Sequence, residues 1–318
     1  MLSGRDIVYV SSIDWDDHWQ GHQQIASALA RANNRVLFIE NTGVRTPGLR
    51  DLSRLLKRAH NSLERSAPGR LRVREVAPGL WVLAPILLPF PYSRLARAIN
   101  GRLLAGALAR FKNELGFSPS VLWTYLPTPL VHDLLDRLQP SASVYYCTDD
   151  LSSSSTAARA IVASEETMFR RVDLVYVTAE KLRTRVLASG RRAELFPSAV
   201  DLAVFDGDAD GDADRIADAD VNADAHRALA GIPRPIAGYV GALHRWVDQA
   251  LLIRVARRLP EVSFVLVGPD HRAERIVEGE PNIHLLGMKP YKALPRYLRR
   301  FDVGLNLSGG SGLRWARG

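Results

Sequence analysis

The chain holds a single cysteine, Cys147, among its 318 residues. That excludes an internal disulfide and a cysteine-rich zinc site, and removes the main sequence sign of an oxidising compartment. Long apolar runs are also lacking. The longest, Leu80 to Phe90, is broken by Pro85 and Pro89 and falls short of the about 20 residues a membrane-spanning helix needs. The amino terminus enters Asp6-Ile-Val-Tyr-Val almost directly, without the basic and then apolar regions of an export signal. A cytoplasmic protein is expected. What is present is a globular composition, 47% hydrophobic and 24% charged, with a net charge of +8. That charge suits nucleic acid, an anionic membrane surface or phosphorylated substrates, and does not choose among them.

Short runs rich in Val, Ile, Leu and Tyr alternate with longer stretches of helical apolar spacing, the pattern of parallel sheets with crossover helices, so the fold class is α/β. Strands are expected from Ile7 to Ser11, Val36 to Glu40, Trp81 to Ala84, Val121 to Thr124, Val144 to Cys147, Leu174 to Thr178 and Glu194 to Phe196. These make a first lobe, 1–203. Residues 204–231 form an Asp/Ala-rich linker or loop: the run from Asp206 has almost no large apolar side chain to bury and cannot offset the entropy of ordering. A second α/β series, 232–318, runs through strands from Pro235, Ser263, Asn282 and Asp302, with helices near 246–258 and 291–300. From Ser308 onward neither strand nor helix period is visible, and a second lobe of fewer βα units than both sheet faces need is expected to be incomplete.

The loop after the first strand, Ser12-Ile-Asp-Trp-Asp-Asp-His-Trp-Gln-Gly-His, is dense in polar and aromatic residues at a strand's carboxyl end, where open parallel sheets bind ligands. Its Asp14, Trp15, Asp16 and Gln20 are substrate-contact candidates, and the alternative is a solvated loop whose acids cap the next helix. His18 is chosen as general base or hydroxyl partner, because an imidazole titrates near neutral pH. Asp14, Asp16, Asp17, His18 and His22 do not make a recognised metal motif, and no metal is expected. Asp149 and Asp150 follow another strand. Paired carboxylates can do acid or base work, whereas such pairs more often cap a helix, and the serines at 152–155 favour capping or a loop.

Gly238-Tyr-Val-Gly241-Ala-Leu-His244-Arg245-Trp-Val-Asp248 is the most informative segment. A strand ends in glycine, a short loop presents His244 and Arg245, and a helix follows, so amides, a helix N-terminus and a cation can converge on a diphosphate. The spacing is not that of a dinucleotide fingerprint. The acidic run at Asp206 begins like a calcium loop, but Ala217 stands where a bidentate Glu is required. The stretch from Gly48 to His60 carries an apolar stripe beside Arg50, Arg54, Lys57 and Arg58, which either faces the core or lies on an anionic bilayer, with Trp81, Phe90 and Tyr92 as interfacial anchors. No nucleic-acid module accompanies the charge, and no nucleic-acid partner is expected.

Taken together, Asp14-Trp-Asp-Asp-His-Trp-Gln, Leu122-Trp-Thr-Tyr-Leu-Pro, Tyr145-Tyr-Cys-Thr-Asp-Asp, Asp173-Leu-Val-Tyr-Val-Thr-Ala-Glu, Phe196-Pro-Ser-Ala-Val-Asp and Gly238-Tyr-Val-Gly resemble, in order and spacing from about Ile7 to Leu307, the GT-B glycosyltransferases of family 4, especially the teichuronic-acid and exopolysaccharide branch. The resemblance implies two Rossmann-like lobes, the first for the acceptor and the second for a nucleoside-diphosphate sugar, and no bound metal or other cofactor. It implies that the loop at Asp14, Trp15, Asp16 and Gln20 meets the acceptor, and that Gly241, His244 and Arg245 neutralise the leaving diphosphate. The acceptor it implies is lipid-linked or a polysaccharide, on the inner face of the plasma membrane. Where the family carries an acidic helix and a helix returning to the first lobe, this chain has Ser308-Gly-Gly-Ser-Gly. A truncated donor lobe is therefore expected, and an inactive nucleotide- or sugar-binding remnant stands as an alternative to transfer, as does a sugar-nucleotide epimerase of the same fold.

Overall fold

The computed structural model describes residues 2–42, 73–151, 159–200, 202–205, 224–244, 247–269, 277 and 279–307. The stretch from Gly48 to His60, the acidic run from Asp206, the serines at 152–155, Arg245 and the end from Ser308 lie outside them. The chain divides into two compact units, Met1–Val200 and Asp201–Gly318.

The first unit is built on an eight-stranded sheet. Its strands are β1 (Asp6–Val10), β2 (Arg35–Ile39), β3 (Val73–Ala77), β4 (Leu80–Leu83), β5 (Val121–Thr124), β6 (Ala142–Cys147), β7 (Leu174–Val177) and β8 (Glu194–Leu195), in the order β3-β4-β2-β1-β5-β6-β7-β8. All neighbours are parallel except β3 and β4, an antiparallel hairpin turning at Gly79, whose φ of 75° suits glycine. Both faces are covered, so alternate residues of one strand enter different cores. Val8, Val10, Leu37, Ile39, Leu122, Tyr145 and Cys147 share one cluster with α2 (Arg94–Leu115), α3 (Pro129–Leu138) and α4 (Arg159–Arg171). Ile7, Tyr9, Val36, Phe38, Trp123 and Tyr146 share the other with α1 (Gly21–Arg31). This double burial is why the strands read as nearly continuous apolar runs.

The chain winds from β1 through α1 to β2 on one side, then from β5 through α3 to β6 on the other. Crossovers of one hand running in opposite directions place their helices on opposite faces. The loops between β1 and β5 therefore diverge at the carboxyl rim and leave a crevice there. At the opposite rim Asp6 fixes the strands: it takes Arg35 Nε at 2.7 Å, Arg35 Nη2 at 2.5 Å and the Ser118 amide at 2.6 Å. The unit also includes α5 (Glu180–Ala188).

The second unit repeats the plan with β9 (Ile236–Val240), β10 (Ser263–Val267), β11 (Ile283–Gly287) and β12 (Val303–Gly304), all parallel, in the order β11-β10-β9-β12. Strand order again reverses beside the first strand, between β9 and β12. Its helices include α6 (Leu202–Phe205), α7 (Gln249–Arg258) and α8 (Leu294–Leu298). Residues 224–229, inside the stretch expected as linker, are helical, and Ala225 and Leu229 are buried against Tyr297 and Val265. Among the described residues no helix is long and apolar enough to cross a membrane.

Candidate functional site

The rim of the first sheet is organised around His22 and Gln23, at the start of α1. Gln23 is fully buried, and its side-chain amide donates to the carbonyls of Trp15 at 3.2 Å and His18 at 3.3 Å, while its Oε1 accepts the Gln20 amide at 3.0 Å. One side chain thus holds the whole loop. Glu40, one residue past β2, accepts the Trp15 amide at 3.0 Å, and the Trp15 ring stands edge-on to Phe38 and Trp19. Asp16 is paired with Arg74 at 2.6 Å. Asp14 receives the Asp17 amide on its carbonyl, closing a turn.

That turn separates the two histidines. His18 is half-buried, its side chain 44% exposed, with Nδ1 3.8 Å from the Asp17 carboxylate. His22 is buried, bonded through Nε2 to the Ser12 hydroxyl at 2.8 Å and stacked on Tyr125 at 3.8 Å between ring centres. Tyr125 lies one residue past β5, and its hydroxyl meets that of Tyr9 at 2.8 Å. Ser12, His22 and Tyr125 therefore converge at the reversal point from both of its loops. The sequence points to His18 as the base and to His22 only as a candidate metal ligand. The available signal for Tyr125 was its position, directly after a strand.

Burial pushes His22 down to about 4. Below pH 6.5 the unfolded chain takes up a proton that the folded lobe refuses until about pH 4. Stability therefore falls across that window as pH drops, by on the order of 3 kcal/mol in total. His132, lowered by burial, acts in the same direction. Urea midpoints of wild type and His22→Gln between these limits should show the flatter profile in the variant; matching slopes would remove His22 from this role.

Asp149 and Asp150, after β6, have different partners. The Asp149 carboxylate accepts from the Thr148 hydroxyl at 3.1 Å, and Asp150 faces Arg185 at 3.4 Å. Arg185 also binds Glu165, a fully buried carboxylate. Asp150 is thereby part of an ion cluster.

On the second rim, Gly241 follows β9. Its amide donates to the Val267 carbonyl at 2.9 Å, and the Leu243 amide donates to Pro269 at 3.1 Å. Two amides of the loop are thus spent within the lobe, and what Gly241 offers a ligand is close approach rather than its N–H. A Cβ at Gly268 would overlap the Gly241 carbonyl, so the ends of β9 and β10 meet as only glycine permits. His244 begins the turn that leads to α7, with the Val247 amide on its carbonyl at 2.9 Å. Asp248 caps α7 by accepting the Leu251 amide at 2.8 Å, which sets a carboxylate at that N-terminus. Arg245 lies outside the described residues. Lys289, past β11, was missed by sequence reading; it bonds Asp224 at 2.9 Å and sits over the Tyr297 ring.

Among the described residues no three His, Cys, Asp or Glu side chains gather as a metal site would need. By sequence, no family model and no curated protein matches the chain. By structure it is similar to sucrose-phosphate synthase of Thermosynechococcus elongatus, with 18% identity over 96% of this chain and 76% of that one at a TM-score of 0.63. It is also similar to Anabaena HepE in complex with UDP and glucose, with 15% identity over 96% and 74% at a TM-score of 0.58. The catalytic domain of starch synthase IV from Arabidopsis thaliana, bound to ADP and acarbose, shares 13% identity over 95% and 78% at 0.58. At these identities the likeness establishes architecture alone: two α/β units on parallel sheets, the GT-B fold of the glycosyltransferases.

Proposed function

We propose that the chain is a glycosyltransferase of the family 4 type, moving a hexose-type sugar from a nucleoside-diphosphate donor to a lipid-linked or polysaccharide acceptor in envelope biosynthesis, with no bound metal. The observation that carries the reading is the loop after β9, the strand beside which the second sheet reverses: its backbone is packed to glycine-only distance against the end of β10 and is followed directly by His244 and Arg245. Structural neighbours were captured with UDP or ADP, which supports a nucleoside diphosphate as the ligand class.

Breaking the anomeric bond leaves the diphosphate with added negative charge, and cations aimed at that charge stabilise the transition state more than the ground state. With Asp248 on the α7 N-terminus and two loop amides engaged, that task falls mainly to the side chains of His244 and Arg245. On the first lobe, the loop of Asp14, Trp15, Asp16 and Gln20 receives the acceptor. Half-buried His18 takes the acceptor hydroxyl's proton, Asp149 serves as a second polar contact, and Asp150 holds Arg185 in place.

Arg245→Ala should weaken UDP, ADP or GDP binding by about tenfold, the size of one charge-assisted contact, as read by titration calorimetry. Unchanged affinity takes Arg245 out of the site. Incubation with a panel of nucleotide sugars and lipid-linked or glycan acceptors should release nucleoside diphosphate. Tight nucleotide binding without release favours a non-catalytic remnant, and recovery of an epimerised nucleotide sugar replaces transfer with epimerisation.

A further inference from the structure

The exposed apolar residues of the first lobe are not scattered evenly. The chain leaving β4 reads Ala84-Pro-Ile-Leu-Leu-Pro-Phe-Pro-Tyr-Ser93, ten residues without a charge. Ile86 and Phe90 are each 47% exposed, and Leu88 is 39% exposed. The run continues into α2, where Leu95 is 72% and Leu103 53% exposed. Large aliphatic side chains open to solvent at such fractions in one connected stretch mark an interaction surface rather than ordinary surface composition.

The loop is held on the helix. Asn100, buried in α2, donates to the Leu88 carbonyl at 2.9 Å and accepts the Leu88 amide at 2.8 Å. The Ser93 amide closes a turn onto Phe90 at 3.1 Å, and Ser93 then caps α2. Leu88 and Leu103 thus flank the same buried Asn100, and Phe90 and Leu95 flank the same turn. The apolar groups are ordered before any partner arrives, so little ordering entropy remains to oppose binding.

Charge selects the partner. Along α2 stand Arg94, Arg97, Arg102, Arg110 and Lys112 against a single acid, Glu114, in the last turn. Arg97 is engaged by Asp133 at 2.7 Å. Arg94 and Arg102 are exposed immediately beside Leu95 and Leu103. Aliphatic and phenyl groups that enter hydrocarbon, ringed by arginines that stay at headgroup level, match the interface of an anionic bilayer. We propose that the loop 84–93 and the outward face of α2 dock the protein on an anionic membrane surface. The inference stands on this surface and not on the transfer reaction, and its test uses neither donor nor acceptor.

The test is co-sedimentation of the full chain with vesicles of phosphatidylcholine alone or doped with phosphatidylglycerol. Binding is expected to the doped vesicles, weak to the neutral ones, and reduced by high salt. Arg94→Glu with Arg102→Glu should lower the partition coefficient by at least about tenfold, at roughly a factor of five for each charge removed. Leu95→Glu and Phe90→Glu, both at exposed positions, should lower it comparably while circular dichroism stays unchanged. Three results overturn the proposal. One is absence of binding to doped vesicles. Another is binding that survives all four changes but is lost on reversing Arg50, Arg54, Lys57 and Arg58, which assigns the membrane to that segment. The third is a concentration-dependent dimer in sedimentation that Leu95→Glu dissolves, which assigns the face to a second copy of the chain.

Discussion

Replacing Arg185 by methionine is expected to destabilise the first lobe by about 3–5 kcal/mol, the usual cost of leaving a buried charge without its partner. Glu165 on α4 is fully buried. One of its oxygens takes the Tyr145 hydroxyl at 2.7 Å and the Cys147 thiol at 3.6 Å; the other takes the Arg185 guanidinium from α5. Burial pushes the Cys147 thiol up to about 12 and holds the Tyr145 hydroxyl well above its ordinary value, so both remain protonated donors and supply no countercharge. Desolvation works against the charge on Arg185, and the attraction of Glu165, with Asp150 adding to it, more than offsets that penalty. Arg185 is thus the cation this cluster depends on. Methionine keeps an aliphatic stem of similar reach while deleting the guanidinium, whose carbon lies 5.8 Å from the Phe169 ring centre. Urea unfolding reads the loss, and Glu165→Gln combined with Arg185→Met should recover a large part of it, because the amide still accepts from Tyr145 and carries no charge. A single variant within about 1 kcal/mol of wild type would show that Glu165 finds compensation elsewhere.

The same cluster shows where sequence reading stops. The central strands were legible because a strand buried on two faces must be apolar nearly throughout, and the segments from Ile7, Val36, Val121, Val144 and Ser263 satisfy that. Strand β3 was not, since Val73-Arg-Glu-Val-Ala is a half-exposed edge, and only the Pro78-Gly79 turn signalled a hairpin. Adjacent Asp149 and Asp150 suggested a carboxylate pair, but the arginine that engages Asp150 comes from 35 residues further along the chain. No local spacing encodes such a contact. His18 and His22 posed a similar problem. Which of them turns inward depends on the turn closed at Asp14 and on the Gln23 side chain that gathers its carbonyls, and both are products of the folded loop.

The largest functional loss should come from adding one methyl group to the second lobe. In Gly268→Ala the new Cβ meets the carbonyl oxygen and carbon of Gly241, which are main-chain atoms with no rotamer to change. Gly268 is itself fixed by its amide, which donates to the Gly287 carbonyl at 2.9 Å, so relief must come from displacing the loop after β9. That loop is also held by the Gly241 amide on Val267 and the Leu243 amide on Pro269, and its movement breaks both. A stability loss above the about 1–3 kcal/mol of ordinary overpacking is expected, with nucleoside-diphosphate affinity falling by about tenfold or more as His244 and its neighbours leave their positions. The contrast is Gly238→Ala, where the added methyl meets the Phe301 ring. A side chain can be trimmed, so Phe301→Leu in the same chain should restore part of the stability, whereas no second substitution can trim the Gly241 carbonyl. Calorimetry on both variants decides the matter. Gly268→Ala with wild-type melting and wild-type UDP affinity would mean that the two backbones can separate without cost, and the loop after β9 would then lose its standing as a preorganised diphosphate site.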